Sequence, residues 1–294
     1  MKHSEGEFSE ALTDTNYYWT EIIKPRAGLL KLQLAEIWKY KDLLTMLVRR
    51  DFVSTYKQTI LGPIWFFIQP LLTTVTFILI FGNIARISTD GLPMTLFYMA
   101  GITLWNYFSD CLNKTATVFK DNSNIFGKVY FPRIIMPLSI IVSNLVRFGI
   151  QFSLFICFWI YYLSIGANVH PNLYILLVPF LVILMAILAL GSGMLISAMT
   201  TKYRDLVFLL TFGVQLLMYA TPVIYPMSAM PEKYKLLISV NPLSSIVEAF
   251  RYAFTGSGQF NWLGLFYSNC FALVLLFFGT LVFNKVERSF MDTV

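Results

Sequence analysis

Long apolar runs separated by short polar connections dominate the chain and predict six membrane-spanning helices, at about 61–85, 95–118, 139–163, 173–199, 205–221 and 261–284. A helix needs roughly 20 apolar residues to cross about 30 Å of hydrocarbon, and several of these runs are longer. Continuous runs exclude a membrane barrel, whose strands are short and alternate apolar with polar positions. Upstream the pattern changes. From Leu29 to Tyr56, Leu30, Leu34, Ile37, Leu44 and Val48 recur at helical spacing among Lys31, Lys39, Lys41, Arg49 and Arg50. That is an amphipathic helix, suited to an anionic leaflet or to the surface of a partner protein. Residues 1–28 are polar, although Tyr17, Tyr18 and Trp19 suit the headgroup level. Between the fifth and sixth runs, 223–258 is broken by Pro226, Pro231 and Pro242. Short helices dipping back toward the outer leaflet are expected there, which the bilayer tolerates only where their backbone is buried among other helices.

The expected fold class is therefore an all-α polytopic membrane protein. It has an N-terminal extension (1–28), an amphipathic interfacial helix (29–60) and a six-helix transmembrane domain (61–294) with a re-entrant outer hairpin before the last helix. Composition agrees: 57% of residues are hydrophobic and only 13% charged, far from the balance of water-soluble domains. The net charge of +6 is spread between apolar segments, which fits membrane topology and not a nucleic-acid surface.

Lys120, Lys128 and Arg133 lie in the second connection, Lys202 and Arg204 in the fourth, and Lys285 and Arg288 after the last span. The first connection has only Arg86, and the third has His170 but neither Lys nor Arg. Cytoplasmic loops carry the positive excess, so both termini are expected in the cytoplasm. The fifth connection, with Lys233, Lys235 and Arg251, breaks this pattern. Glu5, Glu7, Glu10 and Asp14 precede any apolar run, so no cleavable signal is expected and the first span directs insertion. Cys111, Cys157 and Cys270 sit in apolar stretches without paired spacing and are read as small apolar side chains.

Candidate chemistry is sparse. His3 and His170 are far apart, and Gly127-Lys128 lacks both the earlier glycine and the following Ser/Thr of a phosphate-binding loop. No ATP hydrolysis, cofactor or metal is expected in this chain. Charges within the spans are few: Asp110 and Lys114 in the second and Arg147 in the third. Lys114 and Arg147 either snorkel to headgroups or, with Asp110 facing Arg147, form an ion pair that fixes helix packing. Trp65, Gln69, Thr73, Thr76 and Asn83 share one face of the first span, and Phe208, Phe212, Gln215 and Tyr219 one face of the fifth. Aromatic rings stack on sugars and amides bond hydroxyls, so such stripes suit a polysaccharide path. Polar side chains also join membrane helices, which is the alternative. The second connection carries Asn122, Ile125, Phe126, Val129 and Tyr130 ahead of Pro132. A short cytoplasmic helix with exposed apolar residues is expected there, docked in a protein groove.

Several of these segments, in order, resemble one family. They are Arg49-Arg50-Asp51, Tyr56-Lys57-Gln58-Thr59, Leu61-Gly62, Trp65 and Gln69-Pro70; then Gly101, Trp105 and Phe108-Ser109; then Phe131-Pro132-Arg133 and Pro137-Leu138. Tyr203-Arg204-Asp205, Thr221-Pro222-Val223-Ile224-Tyr225, Asn241-Pro242 and Phe250-Arg251 follow. The set is similar to ABC-type polysaccharide export permeases: the O-antigen (Wzm-type), capsule and teichoic-acid (TagG-type) exporters. The resemblance implies a homodimer in the cell inner membrane that moves a lipid-linked polysaccharide. Two copies of a separate ABC ATP-binding subunit, carrying ATP and Mg, would power it. It further implies that Leu61 and Gly62 lie near the portal for the lipid-pyrophosphate end, with Arg49, Arg50 and Lys57 as candidate pyrophosphate contacts or as stop-transfer charges on anionic lipid. It assigns Asn122, Ile125, Phe126, Val129 and Tyr130 to coupling with the ATPase, and Pro222, Tyr225 and Pro226 to an outer gate. A drug or small-lipid exporter of the same broad group, or a polyprenyl-sugar membrane enzyme, remains the alternative.

Overall fold

The computed structural model describes residues 38–57, 59–126, 131–203 and 205–291, and every regular element among them is helical. Helix α1 (Lys41–Tyr56) falls within the 29–60 stretch. Leu43, Leu44, Leu47 and Val48 turn inward while Arg49 and Arg50 are exposed. Its apolar face packs on the chain itself, with Leu47 buried beside Phe131, Ile135, Met136 and Ile140. The expected stretch before Trp38, including Leu30, Leu34 and Ile37, lies outside the described residues.

A 3-10 turn, Gly62–Ile64, opens the first long apolar helix. Gly62 takes φ +54 with open space around its Cα, so glycine is required by backbone geometry and not by crowding. Helix α2 (Trp65–Phe77) continues into a π-helical segment, Ile78–Ile84. This change of pitch takes Asn83 out of register with the stripe that starts at Trp65. Helix α3 (Met94–Ala116) is the axis of the bundle, with Leu96 to Trp105 buried in one unbroken run. Two short helices, α4 (Val118–Asp121) and α5 (Ser123–Phe126), lead toward α6 (Ile135–Ser164). A 3-10 turn (Leu173–Leu177) precedes α7 (Val178–Lys202), and α8 (Leu206–Tyr219) follows. After another 3-10 turn, Met227–Ala229, come α9 (Glu232–Ser239), α10 (Pro242–Thr255) and α11 (Trp262–Met291).

Among the described residues, four helical stretches are long and apolar enough to cross a membrane: Gly62–Ile84, Ile135–Ser164, Leu173–Lys202 and Trp262–Val286. Their outer faces carry exposed Leu72, Val75, Ile183, Leu263, Phe266 and Phe277. Apolar surface on this scale requires hydrocarbon or a protein partner around it. Helix α3, with 23 residues, has the length, but Asn106, Ser109, Asp110, Asn113 and Lys114 lower its apolar content. Helix α8 has 14 residues, which at 1.5 Å per residue is about 21 Å and falls short of a bilayer core. The 205–221 run thus yields a shorter helix than expected, because the chain turns at Thr221-Pro222.

Close approach of α7 and α11 rests on two glycines. A side chain at Gly191 would meet the backbone of Leu275 and Leu276 at 2.7 Å, and one at Gly279 would meet the Gly191 carbonyl at 2.5 Å. Small residues of this kind let membrane helices pack backbone to backbone. Helix α10 is buried nearly all round, against α3, α6, α7 and α11. The Phe250 and Phe254 rings meet those of Phe152 and Phe155 of α6 in tilted or edge-to-face contacts. Its start is capped by the Asn241 side chain, which accepts from the Leu243 amide at 3.0 Å, and left-handed Gly256 ends it.

Candidate functional site

The two predicted stripes both point away from the chain's own core. On α2, Phe66, Pro70 and Thr74 are buried, whereas Trp65, Gln69 and Thr76 are exposed and Thr73 half-buried. Thr73 and Thr76 donate their hydroxyls to the carbonyls of Gln69 and Leu72, at 3.0 and 2.8 Å. Such back-bonding satisfies the hydroxyl within its own helix and leaves the oxygen as an acceptor. On α8 only Val214 is buried, and Phe208 and Phe212 are 80% and 60% exposed, with Gln215 and Tyr219 also outside. Packing within this chain therefore does not account for either stripe.

Near the Leu61-Gly62 turn, the expected portal, Arg49 and Lys57 are exposed. Arg50 instead pairs with Asp51 at 2.7 Å and approaches Asn122 at 3.5 Å, which ties α1 to the start of α5. Phe52 stacks on Phe66 at 5.5 Å, joining α1 to α2 across the Leu61-Gly62 turn.

The expected coupling helix differs from its prediction. Ile125 and Phe126 were expected to be exposed, but Phe126 is only 4% exposed and Ile125 packs beside it. Phe126 meets Phe119 and Phe131, and Phe119 in turn stacks on Phe283. An apolar side chain next to a ready-made aromatic cluster buries itself without a partner protein. What reaches solvent is polar: Lys120, Asp121 and Asn124, with Asn122 half-buried. Val129 and Tyr130 lie outside the described residues. Truncating Phe126 to Ala is accordingly expected to destabilise the fold by about 3–5 kcal/mol. In a thermal-melt assay of the purified protein, Asn124→Ala should leave the midpoint unchanged.

The turn after α8 is where scattered sequence marks meet. Arg251 is 1% exposed and donates to Glu248 Oε1 at 2.7 Å, to the Pro222 carbonyl at 2.8 Å and to the Val223 carbonyl at 3.4 Å. Its guanidinium lies 3.8 Å from the centre of the Phe97 ring of α3. Asn241 donates to the Ala220 carbonyl and to the Thr221 hydroxyl, at 3.2 and 2.8 Å. Gly101 of α3 is so close that a side chain there would lie 2.9 Å from the Val223 carbonyl. Tyr225 donates its hydroxyl to the Tyr219 carbonyl at 3.0 Å, while Pro222 and Pro226 are buried. Sequence reasoning took Arg251 as a connection charge and did not link it to Glu248. Their i, i+3 spacing within an apolar helix was the signal for a pair.

A second cluster was only partly foreseen. Along the seam between α3 and α6, Asn106 donates to Gln151 at 3.3 Å and Lys114 to Asn144 at 3.2 Å. Between these rungs Asp110 lies within electrostatic range of Lys114 and Arg147, and the Arg147 guanidinium stands 5.6 Å from the Phe66 ring of α2. On α3, Asn106, Asp110 and Lys114 are four residues apart, about 6 Å along the axis, and so form one polar line.

Long apolar helices whose outward faces carry exposed aromatic and amide side chains define, by class, a helical membrane protein. The chain belongs to the ABC-2 type transporter family, which matches residues 42–255. It is 27% identical over 253 residues to the O-antigen export system permease protein RfbA of Klebsiella pneumoniae, covering 85% of this chain and 94% of that protein. The protein of the same name from Myxococcus xanthus is 25% identical, over 88% of this chain and 98% of its own length. The polysialic acid transport protein KpsM of Escherichia coli is 22% identical, over 83% and 93%.

Proposed function

We propose that this chain is the membrane-spanning permease subunit of an ABC exporter that carries a lipid-linked polysaccharide, O-antigen-like, capsular or teichoic-acid-like, across the inner membrane. The observation that carries the reading is the outward exposure of Trp65 and Gln69 on α2 and of Phe208, Phe212, Gln215 and Tyr219 on α8. Aromatic and amide side chains at these positions face a second copy of the chain, and the two copies enclose a sugar-compatible path. The names of the family relatives supply the substrate class.

In this reading the chain crosses the bilayer six times, the short α8 being completed by the buried, non-helical 221–224 segment; α9 and α10 form a re-entrant outer hairpin, and both termini are cytoplasmic. Two copies of a separate ATP-binding subunit, which hold ATP and Mg, dock on the cytoplasmic side against the polar tip of α4 and α5, at Lys120, Asp121 and Asn124. Closure of those subunits parts α2 from α8 of the other copy and admits the substrate beside Leu61 and Gly62. Arg49 and Lys57 meet its charged end, because a cation attracts a diphosphate directly. Pro222, Tyr225 and Pro226 form the base of the outer gate.

The homodimer is testable by cross-linking. In a background with Cys111, Cys157 and Cys270 replaced by Ser, oxidation of Phe212→Cys in membranes should yield a covalent dimer. Leu273→Cys, on exposed α11, should stay monomeric. Monomer for both would remove the paired path.

A further inference from the structure

The segment that joins α8 to α10, with α9 at its centre, is held unevenly along its length. Its root, Thr221 to Ile224, is buried and fixed by Asn241 and Arg251. Its return is fixed as well, since the Ser244 hydroxyl donates to the Ile238 carbonyl at 2.7 Å and the Tyr267 hydroxyl to the Val240 carbonyl at 2.9 Å. Between these anchors little is buried. Within α9 only Ile238 is, and Leu236 and Leu237 are 77% and 71% exposed. A segment with so few buried contacts opens at low cost unless something else holds it.

That hold comes from the connection between α2 and α3. The Ser228 hydroxyl, in the 3-10 turn before α9, lies 2.6 and 2.8 Å from the two carboxylate oxygens of Asp90 and donates to them. Among the described residues, no other hydrogen bond or ion pair joins 85–93 to 225–240. The post that presents Asp90 is rigid. The Leu92 amide donates to the Thr89 carbonyl at 3.0 Å, with φ +53 at Asp90 and +76 at Gly91, a two-residue turn of the kind Asp-Gly favours. The Thr89 hydroxyl donates to the Leu92 carbonyl at 2.8 Å, and both residues are buried. The Ile87 amide donates to the Phe81 carbonyl at 2.9 Å, which ties the connection to the π-helical end of α2.

A carboxylate acceptor makes the Asp90–Ser228 bond stronger than one between neutral groups. Yet Ser228 is exposed and Asp90 half-buried, so water can replace either partner. A strong bond at an accessible place, between a rigid turn and a loosely packed arm, is what a contact that opens and recloses requires.

We infer that Asp90 and Ser228 form a latch, which holds the α9 segment against the end of α2 in the closed transporter and releases it as polymer passes. Both are positioning residues and touch no substrate. The inference rests on the proposed function for the placing of 223–258 at the exit of the path.

The test uses the full transporter, with its ATP-binding subunit and with Cys111, Cys157 and Cys270 replaced by Ser. In Asp90→Cys/Ser228→Cys, a short bifunctional thiosulfonate should bridge the pair in membrane vesicles. Glycan export should stop on bridging and return on reduction. Movement is also read without export, from the rate at which a membrane-impermeant maleimide labels Tyr219→Cys in right-side-out vesicles. Ser228→Ala should speed that labelling about tenfold, the factor expected for losing one hydrogen bond to a charged group. Ser228→Thr keeps the hydroxyl and should label at the wild-type rate. Asp90→Asn keeps an acceptor and tolerates the left-handed backbone, so it should fall between. Bridged protein that exports as fast as unbridged protein would overturn the latch, as would a pair that does not bridge, or labelling unchanged by Ser228→Ala. Export by the unbridged protein reports on the proposed function by itself, so the latch can fail while that function stands.

Discussion

Arg251→Met is expected to leave little folded protein in the membrane. The substitution strands the Glu248 carboxylate in the core and strips the Pro222 and Val223 carbonyls of their donor. Breaking a buried ion pair from one side costs about 3–5 kcal/mol, a large share of the 5–15 kcal/mol or so that holds a typical fold together. Removing both charges is gentler, because no unpaired charge remains. The double variant Glu248→Gln/Arg251→Met should therefore melt at a higher temperature than Arg251→Met alone. It should stay below wild type, since the two carbonyls still lack their partner and each costs about 1–3 kcal/mol. Additive losses in this double-mutant cycle would mean that the pair is not coupled.

The second large effect falls at the α7–α11 crossing. Gly191→Val and Gly279→Val each place a branched side chain within 2.5–2.7 Å of the facing backbone. Backbone cannot give way as a flexible side chain can, so the two helices must separate and lose the contact along their length. Each variant is expected to be degraded in cells or to emerge aggregated from detergent. Gly213→Val, at an α8 position with nothing within 4 Å, should accumulate normally. Equal accumulation of all three would show that α7 and α11 are not packed as described.

These effects explain which parts of the molecule were legible in the sequence. The helical spacing of Leu44 and Val48 on α1 could be read because periodicity is local, whereas the packing of this helix on the chain's own Phe131, Ile135 and Met136, in place of a leaflet or a partner protein, could not. The ends of the long apolar helices were also near their predicted places, since Pro and charge clusters mark them. Phe126 was misjudged because its burial depends on Phe119, Phe131 and Phe283, residues that only the tertiary fold assembles. The length of α8 was overestimated because hydropathy does not register that Thr221-Pro222 is pinned by Asn241 and Arg251.

Gly101, Thr221-Pro222-Val223, Asn241 and Arg251 had been noticed only as separate marks of resemblance. They are one assembly, in which a glycine makes room for a turn that an asparagine and an arginine then hold. The exposed stripes on α2 and α8 had two possible meanings, and exposure removes packing within the chain as one of them. The Asn106–Gln151 rung went unseen, because pairing α3 with α6 requires their antiparallel register, which no local pattern reveals.

Export of glycan is the most direct test of the central claim. The chain would be reconstituted with its ATP-binding subunit into inverted vesicles, given a lipid-linked polysaccharide and ATP, and assayed for polymer protected in the lumen. The account predicts ATP-dependent protection by the wild type. Trp65→Ala/Tyr219→Ala should hydrolyse ATP at a near wild-type rate yet protect little polymer, because the path and the motor are separate. Undiminished protection by that variant, or chemical alteration of the lipid-linked sugar by this chain without its ATP-binding subunit, would contradict it.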